Sequence, residues 1–214
     1  MGRLNTVRPF TFIHCADLHL GTPFRGLSEL NPDLGEELYK STYAAFDNIV
    51  QLAITEKVDC VLIAGDVYDS EDKSLKAQLK FRDNLARLSE EGIHTYIAHG
   101  NHDPLSGWAA KLDLPERVFV FPGDKVESIA FQEGDETIAT ISGISFPKRD
   151  IHENLSLQFT PEKEKVPHVG ILHTNVGAST GHEPYAPCNT EDLGKSGMDY
   201  WALGHVHQGR ILRP

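Results

Sequence analysis

Five short apolar runs, each ending at or just before Asp, His or Asn, constrain this chain more than any other feature. They are PFTFIHC (9–15), DCVLIAG (59–65), HTYIAHG (94–100), HVGILHT (168–174) and DYWALGH (199–205). Each has the length and the β-branched or aromatic content of a buried strand. Helical patterns separate the first three. Residues 32–57 carry acids early and apolar residues at helical spacing, and residues 74–92 end at Gly92, a residue suited to stopping a helix. Strand, helix, strand, helix, strand calls for parallel strands joined by crossover helices.

The middle of the chain changes character. Residues 117–146 are rich in β-branched and aromatic residues and are interrupted by PGD (122–124) and EGDE (133–136), which read as hairpin turns. This predicts a second, largely antiparallel sheet. Residues 147–167 read as a polar connection with room for a helix. Residues 177–197 read as a loop followed by a short helix near TEDLG.

The chemistry lies where the apolar runs stop. Asp17 and His19 follow the first run; Asp66 and Asp69 follow the second; Asn101, His102 and Asp103 follow the third. His173 ends the fourth, and His205 and His207 close the fifth. In an α/β sheet the carboxyl ends of parallel strands are where ligands bind. Asp, His and Asn together are borderline-to-hard metal ligands, and no cysteine joins them, which argues against a structural zinc knot. Asp17 and His19, like His205 and His207, are spaced i, i+2, so on extended backbone each pair points one way. The set exceeds what one ion needs. Two ions about 3.5–4 Å apart, sharing one carboxylate, would use it, and Asp66 is the best bridge because Gly65 lets backbone pack closely there. Taken singly, Asn101 is as well explained as a turn residue, and His102 and His173 as hydrogen-bonded structural histidines. Five such clusters in order are not explained that way. Asp103 reads as a turn residue or as a partner to a ligand.

The motifs DLH, GDVYDS, GNHD, LHT and GHVH, in this order, resemble those of the calcineurin-like metallophosphoesterases. Within that superfamily LHTNVG, YAPC and DYWALGHVHQG are most similar to bacterial DNA-repair exonucleases of the SbcD/YhaO type. The resemblance runs from about residue 10 to residue 211. It implies an αββα sandwich of four layers, an α/β (α+β) fold with two facing mixed β-sheets flanked by helices. It implies one metal on Asp17, His19, Asp66 and His207, and another on Asp66, Asn101, His173 and His205. Manganese is the metal it favours, with iron, zinc or magnesium as alternatives. His102 is then the proton donor or transition-state stabiliser. Nucleases of archaea and eukaryotes in this superfamily have a histidine where this chain has Asp69. The bacterial branch has Asp there, and Asp69 is expected to orient a ligand or His102.

The activity this implies is hydrolysis of DNA phosphodiester bonds by metal-activated hydroxide, as a repair exonuclease or endonuclease. A phosphoesterase acting on nucleotides, cyclic nucleotides or phosphoproteins uses the same ligands, and a non-catalytic interaction module on the same fold is the alternative of another class. An SMC-like coiled-coil ATPase is the partner the resemblance implies, and a homodimer is open. Residues 1–214 are expected to form a single catalytic domain, with a capping or DNA-contacting region of the relatives absent after Pro214.

Charge raises a difficulty for this view. The formal net charge is −11, whereas a protein that grips phosphates through its own surface is usually basic. Bound cations would offset it locally. Lys73, Lys76, Lys80 and Arg87 also share one face if 74–91 is helical, a stripe that could track a DNA backbone. Cys15, Cys60 and Cys188 are far apart and odd in number, so free thiols and a cytoplasmic setting are expected. No apolar run is long enough to span a membrane. The start, MGRLNT, fits a myristoylation pattern with no supporting context. His14, His94, His99, His152 and His168 are expected to be structural, as is His182 unless it contacts substrate. Trp108, Tyr185 and Trp201 are expected to pack in the core or against loops.

Overall fold

Strand β2 (Cys60–Ala64) is buried along its whole length, and its side chains divide between two cores. Val61 and Ile63 point to one face. There they meet Tyr43, Phe46, Val50 and Ala53 of one helix and Ala77, Phe81, Leu85 and Leu88 of another. Cys60, Leu62 and Ala64 point to the other face, against Phe131, Ala139, Ile141, Val169, Ile171 and Ala202 of a second sheet. A strand buried on both faces needs an unbroken apolar run, and CVLIA supplies it. The computed structural model describes residues 8–69, 74–108, 110, 112–161, 165–177 and 183–212.

The first sheet takes β1 (Phe12–Cys15), β2, β3 (His94–Ala98) and β4 (Val118–Val120) in sequential order, all parallel. A short helix α1 (Arg25–Leu30), which the periodicity does not signal, precedes α2 (Pro32–Glu56). Helix α3 (Leu75–Glu90) follows β2. The helix ends follow local chemistry. The Asn31 side chain accepts from the Leu34 amide with Pro32 next in the chain, and Ser74 accepts from the Ala77 amide. Glu91 closes α3, with Gly92 beyond it at φ +80. Full burial of a side chain such as Phe46 or Leu85 stabilises by about 1.5–3 kcal/mol, so the packed faces of α2 and α3, not helix propensity, hold this layer.

The second sheet runs β5 (Glu127–Glu133), β6 (Glu136–Gly143), β7 (His168–His173), β8 (Tyr200–Gly204) in that spatial order. It corrects the largely antiparallel expectation. Only β5 and β6 are antiparallel, joined by the two-residue turn Gly134–Asp135; β6–β7 and β7–β8 are parallel. The PGD segment is not a hairpin either. It carries the chain from β4 in the first sheet to β5 in the second. Strand β4 joins the free edge of β3, where Phe119 stacks on Tyr96 at 5.3 Å between centroids. β-Branched content marks a strand but not the sheet it joins. The connection after β6 holds a 3-10 turn (Leu155–Gln158), and α4 (Thr190–Lys195), with a capping box between Asn189 and Asp192, lies between β7 and β8. These pack on the outer face of the second sheet, completing helix, sheet, sheet, helix. No described helix is long and apolar enough to cross a membrane.

The five strand ends therefore belong to two sheets, three to the first and two to the second. Facing of the sheets brings them to one edge. There the Asp17 amide donates to Gly65 O (3.0 Å), and His173 Nδ1 of the second sheet donates to Ala64 O of the first (2.9 Å).

Candidate metal centre

The ligand-type residues sit just past the strands, on strained backbone. Asp17, His19, Asp66 and His205 all have positive φ (53°, 41°, 51° and 102°), a region that costs a non-glycine residue about 1–3 kcal/mol. Extended backbone is therefore not what aims the i, i+2 pairs, as the sequence suggested. The left-handed turns do it. Hydrogen bonds hold them: His19 N to Asp66 O (3.0 Å), Leu20 N to Val67 O (2.9 Å), and His205 N to both Asp17 carboxylate oxygens (3.0 and 3.1 Å).

Among the described residues three groups of potential ligand atoms result, each with all atoms within 4.8 Å of one another: Asp17, His19 and His207; Asp66, His173 and His205; and His19, Asp69 and His102. The second group is fully buried, whereas His207 in the first is exposed. Asp66 reaches both. Its Oδ2 lies 3.2 Å from His173 Nε2 and 3.9 Å from His19 Nε2. Asn101 joins the buried group, with Oδ1 3.0 Å from His173 Nε2. His207 Nε2 lies 3.3 Å from His19 Nε2 and 3.9 Å from Asp17 Oδ1. His205 and His207 thus go to different groups.

The hydrogen bonds select which ring nitrogens are available. Ala64 O can only accept, so His173 presents Nε2 to the site; Glu183 O accepts from His205 Nε2 (2.9 Å), so His205 presents Nδ1. Around His173 Nε2 two oxygen acceptors converge, which demands a proton or a cation between them. That donor set, two oxygens and two imidazoles on buried residues, fits a divalent cation.

Electrostatics sort the histidines. Burial lowers the pKa of His19, and lowers that of His205 with help from the charge on His173, so both are neutral lone-pair donors at pH 7. Burial also opposes a charge on His173, but the Asp66 carboxylate overrides it and holds the imidazole at about 9. The same pairing holds Asp66, against its own burial, far below the usual carboxylate range. His102 is different. Its Nδ1 bonds Asp69 Oδ1 at 2.6 Å, and that bond, against burial, raises its pKa. Asp69 is correspondingly lowered, first by this bond. Its other oxygen accepts from Thr22 Oγ1 (3.3 Å) and lies 4.0 Å from His19 Nδ1. Asp69 therefore touches both a ligand-type histidine and His102.

Sequence reasoning missed several parts of this centre. Thr22 bonds Asp69 and the carbonyl of His19, and the Glu183 carbonyl orients His205. Glycines surround His173. A Cβ on Gly65 would meet its ring at 2.2 Å, one on Gly100 would meet Asp66 Oδ1 at 2.3 Å, and one on Gly204 would meet Ala64 O at 1.9 Å. The signal was present: a glycine directly precedes Asp66, Asn101 and His205. The supposed DNA-tracking stripe turns to α2 instead. Lys80 and Arg87 pair with Asp47 (3.0 and 3.9 Å), and Lys76 sits over the rings of Tyr39 and Tyr43. Lys73, His182 and the N-terminal MGRLNT lie outside the described residues. Tyr185 and Trp201 pack as expected, but Trp108 is 64% exposed.

A family model described as calcineurin-like phosphoesterase matches residues 10–209. The chain is 41% identical over 202 residues to an uncharacterized metallophosphoesterase, YhaO, of Bacillus subtilis, covering 94% of this chain and 50% of that protein. It is 27% identical over 206 residues to the DNA double-strand break repair protein Mre11 of Sulfurisphaera tokodaii (94% and 50%). To Mre11 of Methanococcus maripaludis it is 28% identical over 215 residues (95% and 53%). The chain spans about half the length of the curated relatives it matches.

Proposed function

The chain belongs to the calcineurin-like phosphoesterase family of metal-dependent hydrolases, and from that premise we propose that it hydrolyses DNA phosphodiester bonds, as a repair exonuclease or endonuclease using two Mn²⁺ ions. The observation that carries the metal reading is the pair of ligand groups meeting at Asp66, one buried and one open to solvent. Asp17, His19, Asp66 and His207 would hold the outer cation; Asp66, Asn101, His173 and His205 would hold the inner. Such cations supply Lewis-acid neutralisation of phosphate oxygens and make a water acidic enough to ionise near neutral pH.

The rest of the work falls to side chains of this chain. His102 Nδ1–H donates to Asp69, which leaves Nε2 for the substrate. Asp69 raises the His102 pKa, so near neutral pH Nε2 can carry a proton to the departing oxygen. A positioned acid of this kind contributes typically about 10²–10⁴-fold.

Three features support DNA over a phosphomonoester. Relatives matching 94% and 95% of the chain are named as DNA double-strand break repair proteins. The exposed Trp108 offers a stacking surface, worth about 1–3 kcal/mol per base where bases stack on it. Its loop is bonded through Leu105 N to Phe146 O and Ser106 N to Pro147 O, next to Lys148 and Arg149, and the Arg149 charge is felt at His102. The same reading carries an SMC-like ATPase as partner, which co-purification with this protein tests. The central experiment compares, with Mn²⁺, single-stranded DNA, double-stranded DNA with defined ends, a bis-aryl phosphodiester and an aryl phosphomonoester. Cleavage of DNA and of the diester is expected, and Asp66→Asn should abolish both. Activity on the monoester alone would refute the DNA reading.

A further inference from the structure

We propose that Asp103 is a positioning residue that fixes the spacing between Asp66 and Asn101, and thereby sets the affinity of the inner cation site. This rests on the reading that Asp66, Asn101, His173 and His205 hold a cation. The Asp103 side chain is wholly buried. Its two oxygens accept three hydrogen bonds: Oδ2 from Val67 N (2.9 Å) and His99 Nδ1 (2.9 Å), and Oδ1 from Gly100 N (2.8 Å). A plain turn residue would take only local donors. Val67 is 36 residues away in the chain.

The donors decide the role. Val67 directly follows Asp66, and Gly100 directly precedes Asn101. One carboxylate therefore clamps the backbone of both ligand-bearing loops, those after β2 and β3. A further bond crosses the same gap, His102 N to Asp66 Oδ1 at 2.9 Å. The residue that carries the third donor reaches the segment just after β6: His99 N donates to Ser145 Oγ (3.0 Å) and Phe146 N to His99 O (3.0 Å). The Phe146 ring then packs edge-on against His173 at 5.6 Å. Asp103 thus links the elements that carry three of the four inner ligands while touching none of those ligands' donor atoms itself.

Asp103→Asn tests the clamp because an amide has one acceptor oxygen. Kept on Val67 N and His99, that oxygen leaves the amide NH₂ opposing the Gly100 N–H, so the Asn101 loop is the one released. Mn²⁺ binding by isothermal titration calorimetry and the exchange-coupled EPR signal of a manganese pair read the effect without turnover. Wild type should bind two ions. Asp103→Asn should keep the outer site and weaken the inner by about 10–100-fold, the size seen when a partner of a metal ligand is removed, with the coupled signal lost at stoichiometric metal. His99→Leu, which deletes one donor of three, should weaken it less. A folded Asp103→Asn protein with two wild-type affinities and an unchanged coupled signal overturns the proposal; if that variant does not fold, unchanged inner affinity in His99→Leu overturns it. Wild type that binds fewer than two ions would instead refute the two-metal reading, and the inference with it.

Discussion

Gly100→Ala adds one methyl group at the centre of the site. The backbone there is not left-handed, so the effect is steric and not torsional. The new Cβ would lie 2.3 Å from Asp66 Oδ1 and 2.8 and 2.9 Å from His173 Cδ2 and Cε1, where about 3.5 Å or more is comfortable. Asp66 and His173 are buried and cannot swing to solvent. If Asp66 retreats by about 1 Å it gives up its bond from His102 N. Overpacking costs about 1–3 kcal/mol. A lost hydrogen bond to a charged acceptor adds about 1.5–3 kcal/mol, giving about 2.5–6 kcal/mol in all. For a protein of this size, at about 2–4 °C per kcal/mol, the Tm of the metal-free protein should fall by on the order of 10 °C. Misplacing a ligand by about 1 Å should also cut turnover on a bis-aryl phosphodiester about 10²-fold. Gly26→Ala is the control. It has nothing within 4 Å and lies in α1, so it should be neutral or slightly stabilising. Differential scanning calorimetry and a chromogenic assay read both variants. A Gly100→Ala protein within 1 °C (about 0.25–0.5 kcal/mol) of wild type, with full turnover, would show that the centre is not packed as described.

Asp69→Asn should lower the pKa of His102, because the bond His102 Nδ1–H donates to Asp69 is the main cause of its rise. If protonated His102 is the acid, the alkaline limb of the kcat/KM–pH profile moves to lower pH; an unmoved limb removes His102 from that role. Manganese at about 100 times its Kd should stabilise the protein by about 2.7 kcal/mol, raising Tm by roughly 5–11 °C, and Asp66→Asn should lose most of the shift. Arg8 pairs with Asp59 at 2.8 Å. Burial pushes the Asp59 pKa up, but the bonds from Arg8 and Thr11 outweigh it and hold it low. Its contribution is therefore fully present above the unfolded aspartate value of about 3.9 and fades as pH falls through the lower folded value. Arg8→Gln should cost at most about 1 kcal/mol at pH 7, since the pair is partly exposed, and less at pH 2.5, as read by urea denaturation; an equal cost at both would exclude the ion pair as its source.

Much of this protein is legible from short-range pattern. Apolar runs of strand length and two periodic stretches are local properties, and they locate β1, β2, β3, β7 and β8 and helices α2 and α3. The residues that close the runs are likewise visible, because ligand chemistry is carried by residue type. What local pattern does not carry is partnership. Val118–Val120 and Glu127–Glu133 look alike as strands, and only the free edge of β3 and the Gly134–Asp135 turn send them to different sheets. The lysine stripe of α3 is real as a helical face, but Asp47 on α2 neutralises part of it. Asp103 reads in sequence only as a turn residue or a ligand's partner, and Thr22 as an ordinary loop residue; they gain their place from donors and acceptors brought near by the parallel pairing of β1, β2 and β3 in one sheet. Composition and spacing thus determine which residues can bind metal and where the strands stop. The tertiary structure alone decides which nitrogen each histidine presents, which carboxylate spans two groups and which histidines have their pKa raised by a carboxylate, because these depend on contacts and burial between residues up to 188 positions apart in the chain.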